Sequence, residues 1–458
     1  MTQQSLPLQY FQAHFDEYLS RYQDFLRIPS VSTDPEHKAD MERACDFLVD
    51  QLKNLGTDHV EIFPTPMHPI LFAEKRSSKP DAPTLLIYGH YDVQPVAPLD
   101  EWKSPPFDPT LEGDYLIARG ASDMKGQVMA VLSAIDSIVK TTELPLNLKF
   151  LFEGEEEIGS PSLETFIASH RDLLACDLVL NPDAGMVGPD SPTIVYGLRG
   201  LVYFEVRIDG PKADLHSGLF GGVVANPAIV LSEIIASLHA PDGSVAVPGF
   251  YDQVLPLTPE ERARIAANPT RESDLLAITG APALYGEAGY TPLERIGARP
   301  TLDVNGLYSG FIGEGSKTII PAYASAKISC RLVPNQDPDQ VYDAIKTHIE
   351  SQVPPTVRLT MVKHSGAPAY LADDAPGLQN LASALSETWG KPVIFKREGG
   401  SIPVATTMQN YLGVKSLLTG FGLPDDHIHS PNERQHLPTW KKGVQALIRF
   451  ITGFEHES

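Results

Sequence analysis

The sequence predicts an α/β fold, a mixed sheet flanked by helices, that is interrupted by a second, α+β domain. Up to about residue 190, short apolar strands alternate with helical stretches, which is typical of an α/β sheet. The same alternation resumes near residue 376, and the segment between has the pattern of a small antiparallel sheet with two helices. A chain of 458 residues has room for two or three domains.

The first part of the α/β domain is predicted over residues 1–198 and its second part over 376–458. Helical spacing runs from Leu8 to Leu26, and another helix is predicted over Lys125–Lys140. The predicted strands are PILFAE, TLLIYG, LNLKFLFEG and DLVLNPD. The second part begins with the helical stretch LQNLASALSETW, followed by the strand VKSLLTGFG and a closing helix after Pro438.

The interrupting domain is predicted over residues 199–375. Its strands are predicted over Leu201–Asp209, Ala322–Val333 and Thr356–Val362. Its two helices begin after Asn226 and Asp337, because each of these capping residues precedes a proline suited to the first helical position. A Pro- and Gly-rich insertion near 241–310 has no readable pattern.

Composition excludes several classes of partner. The chain has 36 Lys and Arg against 58 Asp and Glu, for a net charge of -22, so neither nucleic acid nor an anionic membrane is an expected partner. The cysteines Cys45, Cys176 and Cys330 are far apart and form no CxxC pair, which indicates free thiols in a reducing compartment. The N-terminus lacks the pattern of a signal peptide, and we expect a cytoplasmic protein.

Polar side chains follow the predicted strands. His90 and Asp92 end one strand, Glu155–Glu157 follow the next, and Asp183 follows a third. Asp123 lies between a Gly-containing turn and a helix, where capping the helix is its ordinary role. Since ligand crevices of open α/β sheets lie at the carboxyl ends of the strands, we expect these groups to converge.

Converging carboxylates repel one another unless a cation lies among them. His427 and His429 occur later, in a polar loop. Nitrogen and oxygen ligands without cysteine suit Zn, Mn or Co, and a bridging carboxylate would hold two ions roughly 3.5 to 4 Å apart. The residues therefore predict two divalent metal ions of this kind, and the family resemblance described next favours Zn among them.

The motifs HYD, SDMKG, EGEEEIGS, NPDAG, DLHSG, REGGSIP and HSPNE occur in this order over nearly the whole chain. In this series the sequence resembles the M20 metallopeptidases and, within them, the carnosinase-like (CNDP-type) dipeptidases. The resemblance implies a zinc-peptidase-like catalytic domain, an inserted lid domain that mediates homodimerisation, and hydrolysis of dipeptides or short peptides by a metal-activated water.

The resemblance also implies metal ligands and catalytic groups. His90 and Asp183 correspond to ligands of one metal, and Glu157 and His429 to ligands of the other, with Asp123 bridging the two. His429 is preferred to His427 because it directly precedes SPNE. The catalytic groups are then Glu156, Asp92 and His216. Glu156 corresponds to the general base, and Asp92 to the residue that orients His90. His216 corresponds to an oxyanion donor that reaches the partner subunit's active site.

The residues that resemble substrate-binding positions are Thr318, Arg331, His364, Gly400 and Ser401. Arg331 would hold the C-terminal carboxylate of a dipeptide. One departure is Met124, which stands where many relatives have a second Asp, so no role of that carboxylate is carried over.

Three alternatives to a dipeptidase remain open at the level of sequence. One is an N-acyl-amino-acid amidohydrolase, and another is a carboxypeptidase acting on longer peptides; both would use the same chemistry. The third is a non-catalytic scaffold protein on the same fold. Nucleotide binding is disfavoured because no GxGxxG or GxxxxGK[ST] follows a strand.

Overall fold

The computed structural model describes residues 5–400 and 402–454. The helices are α1 (Leu6–Ala13), α2 (Phe15–Leu26), α3 (Lys38–Asn54), α4 (Lys125–Val139), α5 (Leu163–Ser169), α6 (Arg171–Leu174), α7 (Ser217–Phe220), α8 (Pro227–Ser237), α9 (Pro259–Ala266), α10 (Glu272–Thr279), α11 (Pro292–Ala298), α12 (Pro338–Gln352), α13 (Leu378–Trp389), α14 (Pro403–Leu412) and α15 (Leu437–Gly453). The strands are β1 (His59–Phe63), β2 (Ile70–Lys75), β3 (Thr84–His90), β4 (Thr110–Glu112), β5 (Tyr115–Ile117), β6 (Asn147–Glu153), β7 (Leu178–Asn181), β8 (Thr193–Leu198), β9 (Gly200–Asp209), β10 (Leu215–His216), β11 (Thr301–Ser309), β12 (Ile319–Ile320), β13 (Tyr323–Leu332), β14 (Arg358–Ala367), β15 (Tyr370–Leu371), β16 (Ile394–Glu398), β17 (Ser416–Leu418) and β18 (Arg434–His436).

The chain divides into two compact units, each described below by itself. The first contains residues 1–196, 372–396 and 404–458, and the second contains 197–371 and 397–403. The sequence places 397–403 in the second part of the catalytic domain, whereas in the structure this short segment clusters with the second unit.

The first unit is built on a mixed sheet with the strand order β1-β2-β6-β3-β7-β17-β8. The central strand β3 runs parallel to both β6 and β7, and β17 runs parallel to β7. These strands are buried along nearly their whole length, as expected for parallel strands covered on both faces. The predicted α/β class is confirmed.

Helix α4 is the central helix of the first unit. It is buried on all sides from Lys125 to Ile138, because β3 lies on one side and α1, α2 and α15 pack against it on others. Helix α4 approaches the sheet closely at Gly89 of β3. If this glycine carried a Cβ atom, that atom would lie 2.8 Å from Val128 Cγ2 in α4. This packing fixes the start of α4, next to Asp123, against the end of β3.

The second unit contains a four-stranded antiparallel sheet with the order β11-β13-β9-β14. β9 alternates buried and half-buried residues, the period expected of a strand with one covered face. Helices α8 and α12 cover that face and are capped as predicted, by the side chains of Asn226 and Asp337. β10 and β12 pair in a separate two-stranded ribbon.

Three features differ from the sequence prediction or extend it. The helical pattern from Leu8 to Leu26 is two helices, interrupted at His14, whose backbone is not helical. The insertion at 241–310 contains α9, α10, α11 and β11. β4, β5 and β18 form a small three-stranded sheet that the sequence did not reveal. Along the described parts of the chain, no helix is both long and apolar enough to cross a bilayer.

Candidate active site

The carboxyl ends of β3, β6 and β7 lie side by side at one edge of the main sheet. In the parallel register, His90 at the end of β3 pairs with Glu153 at the end of β6, and Ile87 of β3 pairs with Leu180 of β7. The residues that follow these strands therefore meet at the same edge. Asp183 follows β7, and Glu157 lies in a 3₁₀ turn after β6.

Asp123 reaches this edge from outside the main sheet. It follows β5, which belongs to the small three-stranded sheet rather than to the main sheet. It also does not cap α4, since the N-cap position is Met124 and no side chain caps the helix. The capping interpretation of Asp123 is therefore wrong.

Two groups of potential metal ligands share Asp123. The first group contains His90, Asp123 and Asp183, with ligand atoms that all lie within 4.8 Å of one another. His90 Nε2 is 3.2 Å from Asp123 Oδ1 and 3.9 Å from Asp183 Oδ2. One imidazole nitrogen and two carboxylates thus face a common point.

The second group contains Asp123, Glu157 and His429. His429 Nε2 is 2.9 Å from Asp123 Oδ2 and 3.3 Å from Glu157 Oε2. Asp123 therefore presents Oδ1 to one group and Oδ2 to the other, as a carboxylate that bridges two ions must. His427, the neighbouring histidine, instead lines a cavity of about 340 Å³ together with Tyr115.

The electrostatics of the two groups favour cations. Asp183 is half-buried among carboxylates, and desolvation together with the charge of Asp123 raises its pKa well above the ordinary value. Uncompensated negative charge in such a site is unfavourable, and a divalent cation would relieve it. The donor set of nitrogen and oxygen atoms fits Zn, Mn or Co.

Asp92 connects the two ligand groups. Its Oδ1 lies 3.3 Å from His90 Nδ1, and its backbone carbonyl oxygen lies 3.1 Å from the same nitrogen. Its two oxygens also accept hydrogen bonds from the backbone N–H groups of Glu156, at 3.3 Å, and Glu157, at 3.0 Å. One buried carboxylate thus orients the imidazole and holds the turn that carries the glutamates.

The three consecutive glutamates have three different environments. Glu155 is buried and accepts hydrogen bonds from the backbone N–H groups of His68 and Ser162, which is a structural role. Glu157 belongs to the second ligand group. Glu156 lies between them with Oε2 4.0 Å from His90 Nε2, and burial raises its pKa to about 7. A carboxylate with a pKa near neutrality is suited to general base catalysis.

Sequence reasoning assigned no role to two residues that contact these groups. Gln94 donates a hydrogen bond from Nε2 to Glu157 Oε2 at 2.7 Å. Glu433, the last residue of the quoted HSPNE motif, is buried and accepts hydrogen bonds from the backbone N–H groups of Ser122, at 2.9 Å, and Asp123, at 3.0 Å. The position of Glu433 within the HSPNE motif was a signal, but no spacing rule connects either residue to its partners.

The loop that carries His429 is tied to the segment before α4. His427 and His429 have positive φ angles, 56° and 60°, which are unfavourable for residues with a side chain. Asp426 accepts hydrogen bonds from the backbone of Leu423 at 2.7 Å and from Ser122 Oγ at 2.9 Å. Together with Glu433, these contacts hold the loop in its conformation.

Two predicted residues of the second unit lie together. β10 and β12 pair, with His216 opposite Ile319, and the carbonyl oxygen of Thr318 accepts a hydrogen bond from Ser217 N at 3.1 Å. His216 is exposed, and its Nδ1 accepts a hydrogen bond from Gly218 N at 3.0 Å. A neutral His216 must therefore carry its proton on Nε2.

The other predicted substrate residues are on the four-stranded sheet or beyond it. Arg331 is a half-buried residue of β13, next to Arg199, and His364 is an exposed residue at a bulge of β14. Gly400 is exposed at the end of the segment that follows β16. Ser401 lies outside the described residues.

The chain matches the family model of Peptidase family M20/M25/M40 over residues 86–453. It is 33% identical to the Cys-Gly metallodipeptidase DUG1 of Candida albicans, over 98% of both chains. It is 30% identical to the Beta-Ala-His dipeptidase of Homo sapiens, over 97% of this chain and 91% of the human protein.

Solved structures are similar over nearly the whole chain. The dipeptidase Dug1p from Saccharomyces cerevisiae superposes with a TM-score of 0.80 at 29% identity, covering 99% of this chain and 98% of its own. The M20 family metallo-carboxypeptidase Sso-CP2 from Sulfolobus solfataricus has a TM-score of 0.82 at 34% identity, covering 96% of this chain and 99% of its own.

Proposed function

The chain belongs to peptidase family M20/M25/M40, and on that basis we propose that it hydrolyses the peptide bond of dipeptides with two divalent metal ions and a glutamate as general base. The observation that carries this proposal is the position of Asp123, whose two oxygens face two different ligand groups. The dipeptidase relatives, similar over nearly the whole chain, support the same substrate class.

The metal site would use His90, Asp123 and Asp183 for one ion and Asp123, Glu157 and His429 for the other. When bound, two divalent ions supply positive charge that polarises a carbonyl and lowers the pKa of water. Zinc is our choice of metal, because both groups combine imidazole nitrogen with carboxylate oxygen.

Glu156 would move the proton. Its carboxylate, whose pKa is raised by burial, would accept a proton from the attacking water and return it to the nitrogen of the leaving amine. Asp92 keeps the backbone of Glu156 fixed and orients His90. Gln94 holds Glu157 from the other side, so the base and the neighbouring ligand keep their relative positions.

The second unit would bind the substrate and stabilise the oxyanion. The hydrogen bond from Gly218 to Nδ1 of His216 leaves the Nε2–H of that exposed ring as a donor, which suits contact with an oxyanion in the partner's active site. Arg331 would hold the substrate's carboxylate. Arg199 lies beside it, and burial together with the charge of Arg331 lowers the pKa of Arg199 to about 10, so an anion is favoured there.

A homodimer is part of this proposal. β11 is an edge strand of the second unit, and the side chains of Val304, Leu307 and Tyr308 on it are exposed. An exposed apolar edge strand favours association with another chain. Light scattering during gel filtration would test this, with a monomer as the contradicting result.

A cytoplasmic location is supported by the three free cysteines.

The test of the function is hydrolysis of a substrate panel by the metal-loaded wild type. The panel contains Cys-Gly, β-Ala-His, a tripeptide and an N-acetyl amino acid. We expect metal-dependent cleavage of at least one of the dipeptides and no comparable cleavage of the others. Cleavage of the N-acetyl amino acid alone would indicate a deacylase, and no turnover of any kind would indicate a scaffold protein.

A carboxypeptidase is the second candidate, because the similar Sulfolobus structure is described as a metallo-carboxypeptidase. The two functions differ in the length of peptide that the site accepts. Release of the C-terminal residue from the tripeptide as fast as from dipeptides would favour the carboxypeptidase.

A further inference from the structure

The insertion at 241–310 contacts the segment 397–400, which leads to the substrate-binding candidates Gly400 and Ser401. Both belong to the second unit. The first contact is an ion pair between Glu261 in α9 and Arg397. The two side chains are 21% and 9% exposed, so the pair is largely shielded from solvent.

The second contact is between the helix α11 and the backbone of the segment. A Cβ on Gly297 would lie 2.6 Å from Arg397 Cβ and 2.9 Å from its carbonyl oxygen. The preceding residue, Ile296, lies against Gly399. If this glycine carried a Cβ atom, that atom would be 3.1 Å from Ile296 Cγ2. Glycine at position 297 is therefore required for the helix to approach the segment this closely.

The third contact is made by Arg199, at the junction of β8 and β9. Its Nε donates to the carbonyl oxygen of Gly399 at 3.1 Å, and its Nη1 donates to the carbonyl oxygen of Arg299, just after α11, at 3.5 Å. Arg199 is also next to Arg331, the predicted carboxylate ligand. The guanidinium of Arg199 therefore contacts both the segment 397–400 and the insertion, and it lies beside Arg331, which is expected to bind the carboxylate of the substrate.

Two helices of the insertion, α9 and α11, are connected to each other, so they support the segment together. Arg262 of α9 forms an ion pair with Glu294 of α11 at 2.7 Å. Arg299 forms a second one with Glu287, also at 2.7 Å. A change in α9 or α11 is therefore transmitted to residues 397–400.

We propose that the insertion is a specificity element: α9 and α11 fix the position of residues 397–400 and thereby set the affinity for substrate. This inference rests on the proposed function, in which Gly400 contacts the substrate. Glu261, Ile296, Gly297 and Arg199 are then positioning residues. They would act on substrate binding and leave proton transfer by Glu156 unchanged.

The first experiment compares Glu261→Gln with Glu260→Gln. Both changes remove one negative charge from the first turn of α9, but Glu260 is exposed and Glu261 pairs with Arg397. We expect Glu261→Gln to raise KM for the best dipeptide about tenfold with kcat within about threefold of wild type. Glu260→Gln should leave both constants unchanged.

The second experiment compares Gly297→Ala with Gly453→Ala. Both glycines are helical and neither has a positive φ, but a Cβ on Gly453 meets nothing within 4 Å. Because alanine is the better helix former, any loss in Gly297→Ala comes from the contact with Arg397. We expect a rise in KM, and in the inhibition constant of the product amino acid, for Gly297→Ala alone.

A measurement without turnover separates this inference from the proposed function. Amide hydrogen exchange in residues 397–400 should be faster in Glu261→Gln and Gly297→Ala than in wild type and the two controls. Wild-type KM and wild-type exchange in both variants would overturn the inference and leave dipeptide hydrolysis standing. If the wild type cleaved no dipeptide but both variants exchanged faster, the proposed function would be overturned. The conclusion that the insertion holds residues 397–400 in place would still stand.

Discussion

Glu433 accepts a hydrogen bond from the backbone N–H of Asp123 at 3.0 Å, although 310 residues separate the two in sequence. Both oxygens of the buried Glu433 carboxylate are used: the other partners are the backbone N–H groups of Gly120 and Ser122 and Nη1 of Arg119. This carboxylate therefore connects the loop that carries His429 to the loop that carries Asp123, and both of those residues belong to the second ligand group.

Replacing Glu433 with glutamine should loosen the second ligand group. The amide places an NH₂ group among N–H donors and leaves Arg119 without its buried partner, so we expect a loss of about 3 kcal/mol in the free energy of unfolding. Affinity for the second metal ion should fall about 10- to 100-fold. Urea unfolding and metal titration measure the two effects, with Glu42→Gln, an exposed position on α3, as the control. Unchanged metal affinity would contradict a role of Glu433 in positioning Asp123.

Replacing Glu156 with glutamine should abolish turnover while both metal ions stay bound. Its neighbours Asp92 and Glu157 are left in place, so the ligand groups are intact and the missing element is the proton acceptor. We expect kcat to fall about 10²- to 10⁴-fold. Elemental analysis and hydrolysis of the dipeptide panel on the same preparations check this. Activity that survives with two bound ions would remove Glu156 from the mechanism.

Removing single ligands should change the metal stoichiometry in a defined way. His429→Ala removes a ligand of the second group only, so we expect one tightly bound ion per chain. Asp123→Ala removes the ligand that both groups share, so both sites should lose affinity. His427→Ala is the matched control, because His427 lines a different cavity. If His427→Ala and His429→Ala had the same stoichiometry, the assignment of His429 would be wrong.

Glu153 should make stability depend on pH. It is buried at the end of β6, and burial raises its pKa to about 8, although Tyr88 and Ser160 donate hydrogen bonds to it. The folded state therefore retains the proton to higher pH than the unfolded chain, whose carboxyl has a pKa of about 4.5. Stability is lost as pH rises from about 4.5 to about 8.

The measurement for Glu153 is the difference in free energy of unfolding between Glu153→Gln and wild type at several pH values, with equal metal content. The free energy of unfolding of Glu153→Gln, relative to that of wild type, should increase by a few kcal/mol between pH 5 and pH 9. A pKa difference of one unit between the folded and unfolded states corresponds to about 1.4 kcal/mol. Glu61→Gln, at an exposed position in β1, should give a flat difference. A flat difference for Glu153→Gln as well would mean that the carboxyl is ionised without penalty in the folded protein.

The sequence could predict much of the fold because the relevant signals are local. Short apolar runs located β3 and β6, alternation located β9, and helical spacing located α4. The capping residues Asn226 and Asp337 located α8 and α12. Local signals failed where no period exists. The insertion at 241–310 and the three-stranded sheet of β4, β5 and β18 depend on contacts between distant segments.

The order of motifs also named the candidate ligands, and it did so by family resemblance rather than by geometry. The glutamate run illustrates the limit. Three identical residues in sequence take three roles in the structure because the 3₁₀ turn aims each side chain differently, and Gly159, with a φ of 88°, ends that turn. For Asp123 the position before α4 also allowed the ordinary role of a helix cap, which the structure contradicts, because the spacing alone does not fix where its carboxylate points.

By itself, then, the sequence determined which segments are strands and helices and which residue types stand at their ends, because those properties depend on neighbours along the chain. Tertiary structure decided which oxygen of Asp123 faces which histidine, and that Gln94 and Glu433 hold the ligand groups. It also decided that residues 397–400 lie against α11. These relationships join segments that are distant in sequence, and packing between elements, not local periodicity, brings their atoms within hydrogen-bonding distance.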